Sequence, residues 1–255
     1  MSIEPTTGSA REARLEQVLD GWREWGLPLG RRPRLVAPVP GGRTNRNFRL
    51  DAPGMEHDLL LRLNHPDPER LGIDRGLEHE ILSLTAREGI GRRCCHWDPA
   101  ARFALFPWLE ARSWTLADMA RPEQRVRLWP LLERLGQIRL QRPRRCYHAY
   151  LLHYWRQLEQ AGRVEPDWVA AWQAFEPRLR SFAAADWPAR LVHHDLIPEN
   201  ILDTGQRLYL IDWEYAAPGH PDIDAWSVDP GAAGEPFVAE MMGWINDLWE
   251  RLAKV

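Results

Sequence analysis

The feature that most constrains this chain is a change of texture near residue 109. Before it, short extended candidates at 34–39, 47–51 and 58–64 are separated by Pro-Gly-Gly and Ala-Pro-Gly turn chemistry, and another resumes at 102–106. The pattern predicts an antiparallel meander. Two helical patterns accompany it: 10–25, with Leu15, Val18, Leu19, Trp22 and Trp25 at helical intervals, and 74–88, with Leu77, Ile81 and Leu84 on one stripe. Beyond Leu109 come long segments of helical period rich in Leu and Trp, at 122–140, 149–161, 166–184 and 236–253. They are broken once, by 190–215, where Leu191-Val192 and 208–211 flank a polar loop. A strand-rich first lobe, 1–109, and a helical second lobe, 110–255, are expected, which is an α+β chain.

Charge narrows the function. Net charge is −3 over 255 residues, too balanced for a general nucleic-acid binder, and eight Arg between 121 and 145 alternate with Leu and Trp as a solvated helix face does. From Asp186 onward, however, thirteen acids face four bases, a net −9 that suits Mg²⁺ or a cationic ligand. The chain has one lysine, Lys254, so any essential cation must be Arg or His. Cys94, Cys95 and Cys146 make a poor disulfide framework, and no apolar run reaches membrane-spanning length, so a cytoplasmic protein with neither membrane nor nucleic-acid partners is expected. His148 and His153 lack partners at zinc-like spacing.

The chemistry concentrates in Val192-His193-His194-Asp195-Leu196-Ile197-Pro198-Glu199-Asn200-Ile201-Leu202. Asp195 and Asn200 stand five apart on a loop, the spacing that sets a carboxylate at an acceptor hydroxyl and a carboxamide oxygen on Mg²⁺ in phosphoryl transfer. Twelve residues later, Leu208-Tyr209-Leu210-Ile211-Asp212 is an apolar strand ending in an acid, the context of a second Mg²⁺ ligand. Phosphoryl transfer needs this equipment because negative oxygens must be brought beside an alcohol.

In these segments the chain resembles the aminoglycoside phosphotransferase and choline kinase superfamily. His193–Asn200 is similar to its H-G-D-L-x-P-x-N loop, with His194 where that loop usually carries Gly or a small or polar residue. Ile211-Asp212-Trp213-Glu214-Tyr215-Ala216 resembles the I-D-W/F-E-Y-A form of choline, ethanolamine and thiamine kinases, and Asp224 falls where those enzymes carry a further acid. Pro40-Gly41-Gly42-Arg43-Thr44-Asn45 looks like their phosphate loop. Gly-Gly there lets backbone approach a polyanion, although an ordinary hairpin turn would use the same residues. Arg62, on a strand with Leu59, Leu61 and Leu63, wants a buried anion, which ATP phosphate would supply. Glu78 and Glu80 are its candidate partners, and the resemblance of Arg75-x-x-Glu78 to the family's R-x-x-E selects Glu78. Phe106-Pro107-Trp108 resembles the interlobe hinge, whose backbone would bond adenine.

The resemblance implies a two-lobed, protein-kinase-like fold with a small antiparallel-sheet N-lobe and a larger helical C-lobe. It also implies transfer of the γ-phosphoryl group of ATP, with Mg²⁺, to the hydroxyl of a small alcohol. Asp195 would accept the proton and Asn200 and Asp212 would hold the metal. Glu214, Tyr215, Asp224 and Trp226, acids and aromatics together, would surround a cationic acceptor, choline or thiamine leading, with Trp244 and Trp249 as further aromatic candidates. Ethanolamine, an aminoglycoside or a neutral alcohol would use the same machinery, and a catalytically silent nucleotide-binding scaffold is the reading from another class. The sequence carries no signal of oligomeric state.

Overall fold

Leu59, Leu61 and Leu63 alternate along one strand and are all buried, because that strand is the middle of a five-stranded antiparallel sheet. The computed structural model describes residues 7–253, with side chains for 12–252. The described residues begin with helix α1 (Thr7–Asp20), which a 3-10 turn (Trp22–Trp25) continues until Gly26 at φ 66° ends it. The single helix expected over 10–25 is therefore split at Gly21. Strands β1 (Arg34–Val39), β2 (Arg46–Asp51), β3 (Leu59–Leu63), β4 (His96–Trp97) and β5 (Phe103–Pro107) follow, in sheet order β1-β2-β3-β5-β4. Leu15, Val18, Leu19 and Trp25 pack against Leu50, Leu59, Leu61, Leu63, Phe103 and Leu105 as one core. On the opposite face of β3, Arg62 stands between Asn47 on β2 and Ala104 on β5.

The chain divides into two compact units, and not by one cut. The first runs to Asp67 and resumes over Gly91–Ala111; the second takes Pro68–Ile90 and the chain from Arg112 onward. Helix α2 (Arg75–Arg87), capped by Asp74 accepting from the Leu77 N–H, thus belongs to the second unit. Long-range bonds within that unit hold it there: Leu210 N–H to Ile90 O, Tyr154 Oη to Leu71 O, and Arg75 to Glu214.

The remaining elements are β6 (Arg112–Ser113), α3 (Leu116–Ala120), α4 (Pro122–Gln137), α5 (Tyr147–Gln160), α6 (Pro166–Ala184), β7 (Arg190–Val192), β8 (Ile201–Asp203), β9 (Leu208–Leu210), β10 (Ala217–Gly219), α7 (Asp222–Val228) and α8 (Pro236–Ala253). α5 buries Tyr147, Leu151, Tyr154, Trp155 and Leu158, the spacing of one helix face, against Trp172, Phe175 and Leu179 of α6 and Val238, Met241 and Leu248 of α8. Trp155 and Trp172 stack at 4.6 Å. Each such side chain contributes about 1.5–3 kcal/mol of burial, which is why a tryptophan-rich segment folds as helix core.

The arginines of 121–145 are less uniformly solvated than their alternation suggested: Arg127 pairs with Asp203, Arg125 with Asp229 and Arg142 with Glu80. Two small sheets, β10-β7 and β6-β8-β9, carry the polar segments between them. Among the described residues no helix is long and apolar enough to cross a membrane.

Candidate active site

Antiparallel pairing sets the geometry of the second unit's loops. β7 ends at Val192, the polar loop spans 193–200, and β8 pairs with β9 so that Ile201 faces Leu210. The ladder continues one step, Ile211 N–H donating to Asn200 O at 3.0 Å, so Asn200 and Asp212 lie at the same end of one hairpin. Asn200 Nδ2 donates to Asp195 O at 2.8 Å and to Asp195 Oδ2 at 3.0 Å. With its NH₂ engaged on Asp195, the Asn200 carboxamide could offer its oxygen to a cation, and Asp212 could offer a carboxylate. Hard oxygen donors of this kind would suit Mg²⁺. Among the described residues no group of three or more His, Cys, Asp or Glu could hold a metal. Asp212 itself takes φ 65° and ψ 67°, a left-handed conformation uncommon for a residue with a Cβ.

The loop is braced from below by Asp224 on α7. Its Oδ2 accepts from the His193 N–H at 2.8 Å and its Oδ1 from the His194 N–H at 3.1 Å, and the residue is buried. Burial pushes its carboxyl pKa up. The sequence placed Asp224 among acceptor ligands. The structure instead spends both its oxygens on backbone amides, because α7 tucks beneath the loop. His193 is buried and burial lowers its pKa. Its Nε2–H donates to Ile211 O at 2.9 Å while Nδ1 accepts from the Asp195 N–H at 3.3 Å, so one neutral tautomer ties both acidic segments together.

Glu214 is also engaged. Arg75 Nη1 lies 2.7 Å from Glu78 Oε2 and 2.9 Å from Glu214 Oε2, and all three residues are buried. The ion pair fastens α2 to the 3-10 turn (Trp213–Tyr215) that follows Asp212. Glu78, expected opposite Arg62, thus has a cation within its own unit, and Glu80 accepts from exposed Arg142. Tyr215 is buried with Leu71, Ile73, Tyr150 and Trp249, and its hydroxyl accepts from Trp249 Nε1 at 3.0 Å. Trp226 and Trp244 pack on the helical core.

In the first unit, Gly41 and Gly42 have φ of 92° and 80°, and a Cβ on Gly42 would stand 2.7 Å from Asn45 O. Only glycine permits that cradle. Asn45 is buried, its Oδ1 accepting from the His65 N–H. Arg62 is buried with the rings of Trp97 and Phe106 each 5.9 Å from its guanidinium carbon. The Trp108 N–H is already spent on Asp58 O at 2.7 Å, which removes it as a donor to a base.

Sequence reasoning did not find Arg145 and Tyr147. Arg145 donates to Tyr215 O and stacks on Tyr150 at 4.3 Å; Tyr147 Oη lies 3.0 Å from His194 Nε2. Neither sits in a motif, and their partners are 70 and 47 residues away, beyond any local pattern.

Residues 36–253 match the model of the phosphotransferase enzyme family. No curated protein matches the chain. Among solved structures, a choline/ethanolamine kinase family protein from Mesorhizobium loti is similar at 20% identity and TM-score 0.61, over 95% of this chain and 83% of that one. Choline kinase LicA from Streptococcus pneumoniae is similar at 18% identity and TM-score 0.71, over 96% and 91%. LicA in complex with AMP gives TM-score 0.72 at 18% identity, over 94% and 90%. The expected kinase-like architecture, an antiparallel-sheet N-terminal part and a helical C-terminal part, is the architecture found.

Proposed function

Because the chain belongs to the phosphotransferase enzyme family, we propose that it transfers the γ-phosphoryl group of ATP to the hydroxyl of a small alcohol. The observation that carries this reading is the Asn200 carboxamide bonded to Asp195 on one side, with its own backbone laddered to the residue before Asp212. Asn200 Nδ2 orients the Asp195 carboxylate through Oδ2, and that carboxylate would accept the alcohol proton. Asn200 and Asp212 would hold Mg²⁺, which when bound offsets the charge of the phosphates. Gly41, Gly42, Asn45 and Arg62 would take the phosphates, and the strand at Phe106 the base. The AMP complex of LicA supports a nucleotide in this fold.

For the acceptor, a small cationic alcohol of choline or thiamine type leads. The net −9 from Asp186 onward supports it, as do the choline kinases among the similar structures. Glu214 and Asp224 act there as structural acids, since Arg75 and the loop amides engage them. A panel of choline, ethanolamine, thiamine, aminoglycosides, sugars and homoserine, read by ATP consumption, tests the reading. Phosphorylation of one member that falls about 10²-fold in Asp195→Asn with ATP binding kept supports it. ATP binding without turnover of any member would make the chain a silent scaffold, and a neutral best substrate would overturn the cationic acceptor.

A further inference from the structure

His194 sits directly before Asp195 with φ 66°, a conformation that costs a residue with a Cβ about 1–3 kcal/mol and survives only where surroundings enforce it. Three bonds enforce it here. The His194 N–H donates to Asp224 Oδ1 at 3.1 Å, Nδ1 meets Val192 O at 3.2 Å, and Nε2 meets the Tyr147 hydroxyl at 3.0 Å.

Proton accounting fixes their directions. Tyr147 Oη accepts from the His220 N–H at 2.8 Å, so its own proton goes to His194 Nε2; Nδ1 then carries the ring's hydrogen and donates to Val192 O. Burial, with Arg145 nearby, lowers the His194 pKa well below its ordinary value, which keeps that neutral tautomer. Tyr147 is fully buried and wedged by the rings of Phe182 at 6.0 Å and Trp187 at 5.8 Å. Space for the pair comes from Gly219 on β10. A Cβ there would stand 2.4 Å from Tyr147 Oη and 2.6 Å from His194 Cε1 and Nε2, so any side chain at 219 would push the two rings aside.

We infer that His194 is a positioning residue for Asp195: the Tyr147 hydroxyl, seated in the room left by Gly219, holds the His194 ring and with it the left-handed turn that presents the Asp195 carboxylate. The role rests on reading Asp195 as the proton acceptor, but the clamp itself is a property of the loop. Since His194 links the amides held on Asp224 to the acid, slackening the ring displaces the carboxylate without touching Gly41, Gly42, Asn45 or Arg62, the residues proposed for the phosphates. The expected signature is a loss in kcat with the KM for ATP preserved.

The test compares His194→Gly, His194→Gln, Tyr147→Phe, Gly219→Ala and the His194→Gly/Tyr147→Phe double variant, using the best acceptor of the panel above. His194→Gly relieves the backbone but removes the ring, and should lower kcat about tenfold or more while the KM for ATP stays within about twofold. Gln keeps an acceptor where Nε2 stands and should recover most of the loss. The double variant should be no worse than the poorer single, because one clamp is removed twice.

Amide hydrogen exchange over 190–200 reads the same clamp without turnover. It should quicken in His194→Gly, Tyr147→Phe and Gly219→Ala and return toward the parent in His194→Gln. Parent-like kcat and exchange in His194→Gly, or losses that multiply in the double variant, overturn the inference. If the parent phosphorylates no member of the panel, the proposed function fails, while the exchange measurement still decides the clamp.

Discussion

Replacing Asp224 with Asn separates two accounts of a buried acid. Its oxygens lie 2.8 and 3.1 Å from the His193 and His194 amide nitrogens, so both must accept. A carboxamide offers one oxygen, and its NH₂ then meets the other N–H, donor against donor. Losing one hydrogen bond to a charged acceptor costs about 1.5–3 kcal/mol, and stranding a buried N–H costs about 1–3 kcal/mol. Because the two amides flank the turn into Asp195, most of that cost is relieved by displacing the loop. Carried into the population of the reactive conformer, about 3 kcal/mol is about a hundredfold in kcat. The assay is steady-state phosphorylation of the best panel acceptor, with a thermal melt as control for folding. The KM for the acceptor should stay within about threefold, because the carboxylate faces amides and not substrate. A variant with parent-like kcat and a raised acceptor KM would refute the reasoning and return Asp224 to the acceptor site.

Asp212→Ala removes a proposed magnesium ligand, so the enhancement of ATP binding by Mg²⁺ should largely vanish in a titration with and without the metal; equal enhancement in variant and parent would move the metal elsewhere. Arg75→Met takes the guanidinium from two buried carboxylates, Glu78 and Glu214, and should destabilise by about 3–5 kcal/mol, a fall of about 1 M or more in the urea midpoint; a shift under about 0.3 M would contradict that burial. Asp203 is held down to about 2, first by its hydrogen bond from Arg127, against an ordinary 3.8. Its stabilisation is complete above 3.8 and lost as pH falls toward 2, a difference of about 2 kcal/mol, so Asp203→Asn should be less stable at neutral pH and lose less stability than the parent between pH 4 and 2, by acid titration of the melting temperature.

The sequence by itself determined what short spacings can carry. Asp195 and Asn200 are five apart, Asp212 ends an apolar strand, Leu59, Leu61 and Leu63 alternate, and the helices of the second unit declare their period; each is a pattern set by the short repeat of the local backbone. The 3-10 turn at 22–25 and the short strands β4 and β6 were illegible because two to four residues carry no period.

Tertiary structure alone decided which partner each charge would take. Glu214 reads as a substrate ligand until a helix 139 residues earlier brings Arg75 to it. Asp224 reads the same way until α7 passes beneath amides 31 and 30 positions upstream. A buried acid must find whatever donor lies within about 3 Å, and folding chooses that donor from the whole chain. His194 shows the same logic in the backbone. Its left-handed turn is unfavourable by local preference, and is held by Asp224, Val192 and Tyr147, with room for the ring left by Gly219 on a strand that returns beside it.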